Sequence, residues 1–392
     1  MSNRYTRMGD TLLTCYASHV DPAAIVEASH IFQSRVLCNN PEYKGLVMLL
    51  ALPLAAQHEP LMHAWISSTL LFMPDNSPQW RQESVIHYNH AVRELKLSVL
   101  DGSLSEEWKR ATALLCHAIE LLQPIPSPQL ARSHLSAVHH MFRLTLGQPG
   151  LPLDDHDTLL FEAYIIRTAT NCLFQQDIHR QLPFDYVESL STMHYDSLQR
   201  RSLDMSPLNC PWMSRFGPQV MDMVYKTSWI YAQGVSAKSS SQKAIEVWHS
   251  LDEMDKTSGP ERYAIRDKDY KVTRRIWSTA CRALLRPLVP ANYSGHAMPD
   301  HEALVSFGLR DMGAMPQSWT DEMTMFWPLI ILGALSRNPN NQSLCSGMVT
   351  QFRTPVSAHT VDHVMLFLTD AWEAEDKTAC FNDSESLRSV LL

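Results

Sequence analysis

The chain has 392 residues, 45% of them hydrophobic and 19% charged, a globular mix long enough for one large domain or two ordinary ones and able to bury a core without staples. A formal net charge of −8 and a pI near 6.1 speak against a nucleic-acid binder, which needs a dense basic face. Arg200-Arg201 and Lys271-Arg274-Arg275 are short basic groups that read as solvated helix faces and helix C-termini. Only 13 glycines disfavour sheet-rich and dinucleotide-binding folds, which use Gly in tight turns and phosphate loops.

Helical periodicity recurs almost from end to end. It predicts helices over residues 43–57, 61–72, 82–100 and 106–122, the last with Ser105 as cap and Glu106 and Glu107 in the first turn. The run Gln123-Pro-Ile-Pro-Ser-Pro128 is a firm break. Helices follow over 131–146 and from Asp155 or Asp157 to about residue 176. Pro207, Pro211 and Pro218 punctuate a less regular middle that leads into a helix over 218–233. The Ser/Lys-rich stretch 234–242 reads as an exposed turn or short disordered loop. Further helices are expected over 243–254 and 262–288, the latter amphipathic with Tyr270, Ile276, Trp277 and Leu284 on its buried side. Residues 287–299 look looser, and the last helices cover 320–336, 342–351 and 358–372. No period-2 alternation is long enough for a strand, and no solenoid repeat can be aligned. The expectation is an all-α fold, a large multi-helix domain of antiparallel packed helices with no significant sheet. Residues 1–29 form a polar segment and first short helix, residues 30–375 a single helical domain, and residues 376–392 a flexible tail.

None of the eight cysteines (Cys15, Cys38, Cys116, Cys172, Cys210, Cys281, Cys345 and Cys380) lies in a Cys-x-x-Cys pair. That argues against a zinc ribbon or finger and against a thioredoxin-type site. Most sit in apolar helical stretches and read as reduced thiols in the nucleus or cytoplasm of a chain that is not secreted. The longest apolar run, residues 46–56, is interrupted by Pro53 and is too short to span a bilayer.

The sequence holds no P-loop, no Gly-x-Gly-x-x-Gly and no Gly-x-Ser-x-Gly elbow. His359 and His363 are spaced to share a helix face, but no third metal ligand is apparent. In His58-Glu59-Pro60-Leu61-Met62-His63 the histidines are five apart and diverge on a helix, and Pro60 is expected to disrupt the geometry. No metal, cofactor or catalytic residue is therefore assigned. His134, His139 and His140 cluster, as do His87 and His90. A buried His can serve as a general acid or base, but no paired nucleophile or carboxylate is visible beside these. The ten tryptophans read as core, because indole supplies large buried area.

Four segments carry a resemblance. The clearest is Phe326-Trp327-Pro328-Leu329-Ile330-Ile331-Leu332-Gly333-Ala334. Pro328 suits the first turn of a helix, and Gly333-Ala334 allows close helix packing. The others are His87-Tyr88-Asn89-His90-Ala91-Val92-Arg93-Glu94-Leu95, the pair 113–122 and 134–144, and residues 161–173. In this order they resemble the fungal-specific transcription factor domain, the helical region that follows the zinc binuclear cluster in fungal regulators. The family's six-cysteine module and basic linker have no counterpart here. The resemblance implies a helical domain that regulates transcription through protein partners or a bound small molecule, in control of a fungal secondary metabolic pathway. A small-molecule effector and a homodimer are compatible with it. Direct DNA binding by this chain alone is not expected, nor is a membrane. The alternatives are an enzyme of cyclase or isomerase type or a ligand-binding protein, where positioning matters more than a named triad, and a helical scaffold without a ligand.

Overall fold

The computed structural model describes residues 54–73, 78–100, 106–123, 127–146, 155–174, 182–200, 213, 217–233, 238–256, 267–290, 293, 299–315, 325–351, 358–376 and 378–381. Among these the secondary structure is helical throughout, with no strand. The helices are α1 (Glu59–Leu70), α2 (Pro78–Leu100), α3 (Glu107–Leu122), α4 (Pro128–Leu146), α5 (Asp155–Asn171), α6 (Tyr186–Arg200), α7 (Pro218–Ala232), α8 (Lys238–Lys256), α9 (Asp267–Leu285), α10 (His301–Gly313), α11 (Phe326–Leu335), α12 (Pro339–Gln351) and α13 (Ala358–Glu373). No helix of the described residues is long and apolar enough to cross a membrane. The expected helix over 43–57 lies largely outside the described residues, as do the polar N-terminal segment and most of the C-terminal tail.

The described helices group into two compact units. The first holds α1–α4, residues 155–164 of α5, residues 197–200 of α6 and residues 358–359 of α13. The second holds residues 165–171 of α5, residues 186–196 of α6, α7–α12 and residues 360–373 of α13.

In the first unit α1 packs on α2 and α3, and α3 on α4. Leu61, Met62, Trp65 and Ile66 of α1, Tyr88, Ala91 and Leu95 of α2 and Leu115 and Ile119 of α3 are all buried in the interior that these helices form. Phe142 of α4 packs against Phe161 and Tyr164 of α5, with ring centroids 5.0 and 5.5 Å apart. Pro60, expected to disrupt the helix here, instead sits in the first turn of α1. The first N–H groups of a helix have no intrahelical partner, so proline loses nothing there. The start of α3 also differs from expectation: Glu106, not Ser105, holds the cap position, and it makes no side-chain cap bond. Its carboxylate accepts a hydrogen bond from Trp108 Nε1 instead.

In the second unit α11 is the centre. Each of its ten residues is buried, as befits a helix apolar all round. Around it lie α9, α10 and α12. Trp327 of α11 stacks on Trp277 of α9, with ring centroids 5.4 Å apart and planes 4° from parallel, an offset arrangement that aromatic pairs favour. Glycines let these helices approach closely. A Cβ at Gly308 of α10 would lie 2.6 Å from Leu332 Cδ1, and one at Gly333 of α11 would run into Cys345 Sγ of α12. Gly217 precedes α7 with φ 81°, a conformation glycine adopts without cost and other residues resist. The stretch read as a loop over 234–242 is partly helical, because α8 begins at Lys238. Its buried side starts with Ser240 and Ala244, small residues that carry little hydrophobic signal. The helices α6 and α10 were not expected as elements at all.

Gly333→Ala tests the close packing. Relief of glycine's helix penalty favours the variant by about 1 kcal/mol, and overpacking opposes it by about 1–3 kcal/mol. The clash is with the Sγ of Cys345, a short side chain that is fully buried and has little room to move, so net destabilisation is expected in chemical denaturation. Adding Cys345→Ala should restore much of the loss, since it removes the atom that the new methyl meets.

Candidate functional site

Two polar clusters in the first unit combine titratable groups from different helices. The first arises from the pairing of α1 with α2. Glu59 and His63 are four apart on α1, and His87 and His90 three apart on α2, so each pair shares a helix face. The two helices run antiparallel, with Ser67 opposite Ser84. Ser67 Oγ donates to Ser84 O at 2.8 Å, Ser84 Oγ donates to Ser67 O at 2.9 Å, and the two hydroxyl oxygens are 3.0 Å apart. This reciprocal contact holds the backbones close, and one turn further along it places His63 between the two histidines of α2.

His63 Nδ1 lies 2.6 Å from His87 Nδ1, and the His63 and His90 ring centroids are 4.0 Å apart. Glu59 Oε1 is 3.5 Å from His63 Nε2 and 4.0 Å from His90 Nε2. One ligand atom each from Glu59, His63 and His90 fall within 4.8 Å of one another. Glu59 is largely exposed and His63 largely buried. Burial lowers the pKa of His63, and the neighbouring His90 adds to the effect, against the opposing pull of Glu59 and Glu94. Beside this group His58 stacks on Trp108, ring centroids 4.9 Å apart, and burial lowers its pKa despite Glu106.

The second cluster is interior. Tyr88 of α2 stands between Glu120 of α3 and His134 of α4. Its hydroxyl is 2.8 Å from His134 Nε2 and bonds to the Glu120 carboxyl. A hydroxyl has one proton, so with Glu120 ionised His134 Nε2–H donates to the Tyr88 oxygen and the Tyr88 O–H donates to Glu120, and with Glu120 protonated both directions reverse. Burial raises the pKa of Glu120, against the lowering by the Tyr88 bond and a backbone bond from Ser127. Burial pushes His134 down to about 4, so it is neutral at ordinary pH. Cys116, one helical turn before Glu120, is fully buried, and its thiol is held above the usual range. Next to this group His117 Nδ1 donates to Ala131 O at 2.8 Å.

The histidine groups of the sequence are thus redistributed. His134 and His139 diverge: His134 meets Tyr88, whereas His139 Nδ1 lies 2.7 Å from the hydroxyl of Tyr164 on α5, and His140 is exposed. His87 and His90 stay together and gain His63, which sequence spacing had set aside. The carboxyl partner for His134 is Glu120, reached through a tyrosine. His363 on α13 is half-buried, and the side chain of His359 lies outside the described residues. Trp65, Trp108, Trp248, Trp277 and Trp327 are buried; Trp80, Trp229 and Trp372 are half-buried, and Trp212 and Trp319 lie outside the described residues. Cys116, Cys172, Cys281 and Cys345 are buried free thiols. Compared with known protein families, curated proteins and solved structures, the chain matches none.

His134 makes stability depend on pH. Its folded pKa, about 4, lies below the ordinary 6.5, so the unfolded chain binds the proton more readily between those values. Its contribution is fully present above pH 6.5 and is lost as pH falls toward 4, by roughly 3 kcal/mol in all. His194 of α6, also held at about 4 by burial, adds a slope of the same sign. His134→Gln keeps a donor for Tyr88 and removes the titration. The unfolding free energy of this variant, measured by denaturant titration from pH 7 to pH 4, should fall less steeply than that of the parent.

Proposed function

We propose that this chain is a helical regulatory domain of transcription that works through protein partners and controls genes of a fungal secondary metabolic pathway. The observation that carries the reading is the second unit's central helix. The segment with the clearest resemblance, residues 326–334, makes up almost all of α11, with Trp327 stacked on Trp277 and Gly333 close beneath Cys345. The motif that resembles the transcription factor domain is therefore the framework around which its neighbours pack. In this reading the chain acts in the nucleus or from the cytoplasm, and DNA is reached through a partner that carries the DNA reader. A small-molecule effector and a homodimer are compatible with it.

One observation favours a second reading, an enzyme or ligand-binding protein of the same pathway. The relay from Glu120 through Tyr88 to the neutral His134 places proton-carrying groups in a low-dielectric interior, where acid–base chemistry is tuned.

Deleting the gene in the source organism separates the two. Loss of transcripts from the genes beside it, with no intermediate accumulating, is expected. Unchanged transcripts together with an accumulated pathway intermediate would overturn the regulatory reading in favour of the enzyme.

A further inference from the structure

We infer that Glu59, His63 and His90 form a binding site for a divalent transition-metal ion, Zn2+ by its donor set, with His87 orienting His63. The inference does not depend on the function proposed above.

Three features carry it. The donor set is two imidazoles and one carboxylate, the combination that binds Zn2+ when a fourth position is left to water or another ligand. The largely exposed Glu59 (side chain 61% exposed) puts that fourth position toward solvent. The spacing also fits. Tetrahedral bonds of 2.0–2.1 Å to nitrogen and oxygen bring ligand atoms to about 3.3 Å from one another. Glu59 Oε1 is already 3.5 Å from His63 Nε2 and 4.0 Å from His90 Nε2, and the exposed Glu59 side chain is free to close the remainder.

The third feature is the support behind the ligands. A metal-bound histidine characteristically gives its other ring N–H to a partner that fixes its tautomer and orientation. His63 Nδ1 is 2.6 Å from His87 Nδ1, and one of the two nitrogens must carry the proton. When His63 donates, the lone pair of its Nε2 faces the Glu59 carboxylate. Two acceptors at 3.5 Å repel unless a cation lies between them. A bound ion makes that tautomer favourable, and His87 then accepts through Nδ1 and keeps its own proton on Nε2. The protons balance, since both rings are neutral before and after.

The ligands come from two helices, so the ion would clamp α1 to α2. Binding to the folded chain only would raise its stability by mass action.

The full-length chain, freed of metal with a chelator and dialysed, provides the test. Titration with Zn2+ by calorimetry should show one tight site per chain and a higher Tm. Co2+ should give the intense visible absorption of a tetrahedral centre and be displaced by Zn2+. His63→Gln and His90→Gln should each abolish the tight site. Glu59→Gln, at an exposed position where folding is not at risk, should weaken it and change the Co2+ spectrum. His87→Phe should weaken it by about 10–100-fold while leaving the stoichiometry, as expected of an orienting partner. His359→Ala/His363→Ala, which removes the other helical histidine pair, should bind as the parent does. Absence of a tight Zn2+ site in the parent overturns the proposal. So does retention of that site by Glu59→Gln and by a His63→Gln variant whose circular dichroism is that of the parent.

Discussion

The reciprocal hydrogen bonds between Ser67 and Ser84 set the register on which the candidate sites of the first unit rest. Each hydroxyl donates to the other residue's carbonyl, so two helices that could slide past one another are pinned at one pair of positions. Small side chains are what make the contact feasible, because a larger residue at either position would push the backbones apart. From that point the antiparallel pairing runs outward: 67 with 84, 63 with 87, 59 with 90. The same placement of α2 turns Tyr88, next to His87 but on another face, toward Glu120 and His134. One local contact thus determines which groups meet at the surface cluster and which meet in the interior.

The interior of this unit holds more polarity than its helical pattern alone would require. Arg110 is fully buried and bonds to Asp157 through Nε at 2.8 Å and Nη2 at 2.6 Å, with its guanidinium over the Phe142 ring at 5.4 Å. Removing one member of such a pair strands the other charge, at a cost of about 3–5 kcal/mol, whereas replacing both with apolar groups can be neutral. The pair's contribution is therefore better described as specificity than as net stabilisation. It ties α3 to the start of α5 in one geometry, as the Tyr88 relay ties α2, α3 and α4. In the second unit the corresponding work is done by shape: Trp277 on Trp327 and glycines under Leu332 and Cys345. Even there a polar tie recurs, since Tyr231 of α7 donates to Leu284 O of α9 at 2.6 Å.

Much of the fold was legible in the amino-acid pattern, and the places where it was not have physical reasons. The helical class and the approximate positions of α2, α3, α4, α7, α9 and α13 follow from apolar spacing and from proline breaks. Ile276, Trp277 and Leu284 are buried as that spacing requires; the side chain of Tyr270 lies outside the described residues. The helix α6 escaped because its buried face is Val187, Leu190, Ser191, His194, Ser197 and Leu198. Half of that face is polar, so the 3.6 rhythm is diluted. On α10 the rhythm is intact in Leu304, Val305, Leu309 and Met312, but Gly308 sits in the middle of the face. A glycine there lowers helix propensity while serving as the contact point for Leu332, so packing overrides the local preference.

The histidine cluster was illegible for a different reason. Spacing along one helix can reveal partners that share a face, such as His87 with His90 or Glu59 with His63, but His63 and His87 are 24 residues apart. Their meeting is a consequence of register between helices, and register is written in the small residues at the contact rather than in the histidines. Pro60 compounded the difficulty, since a proline inside an apparent motif reads as a break until the helix start is known. Once α1 is seen to begin at Glu59, Pro60 becomes an N-terminal residue and Glu59 and His63 fall on one face. With Ser67 opposite Ser84 that face can only look toward His87 and His90. The chemistry at the surface cluster is therefore specified by two serines that take no part in it.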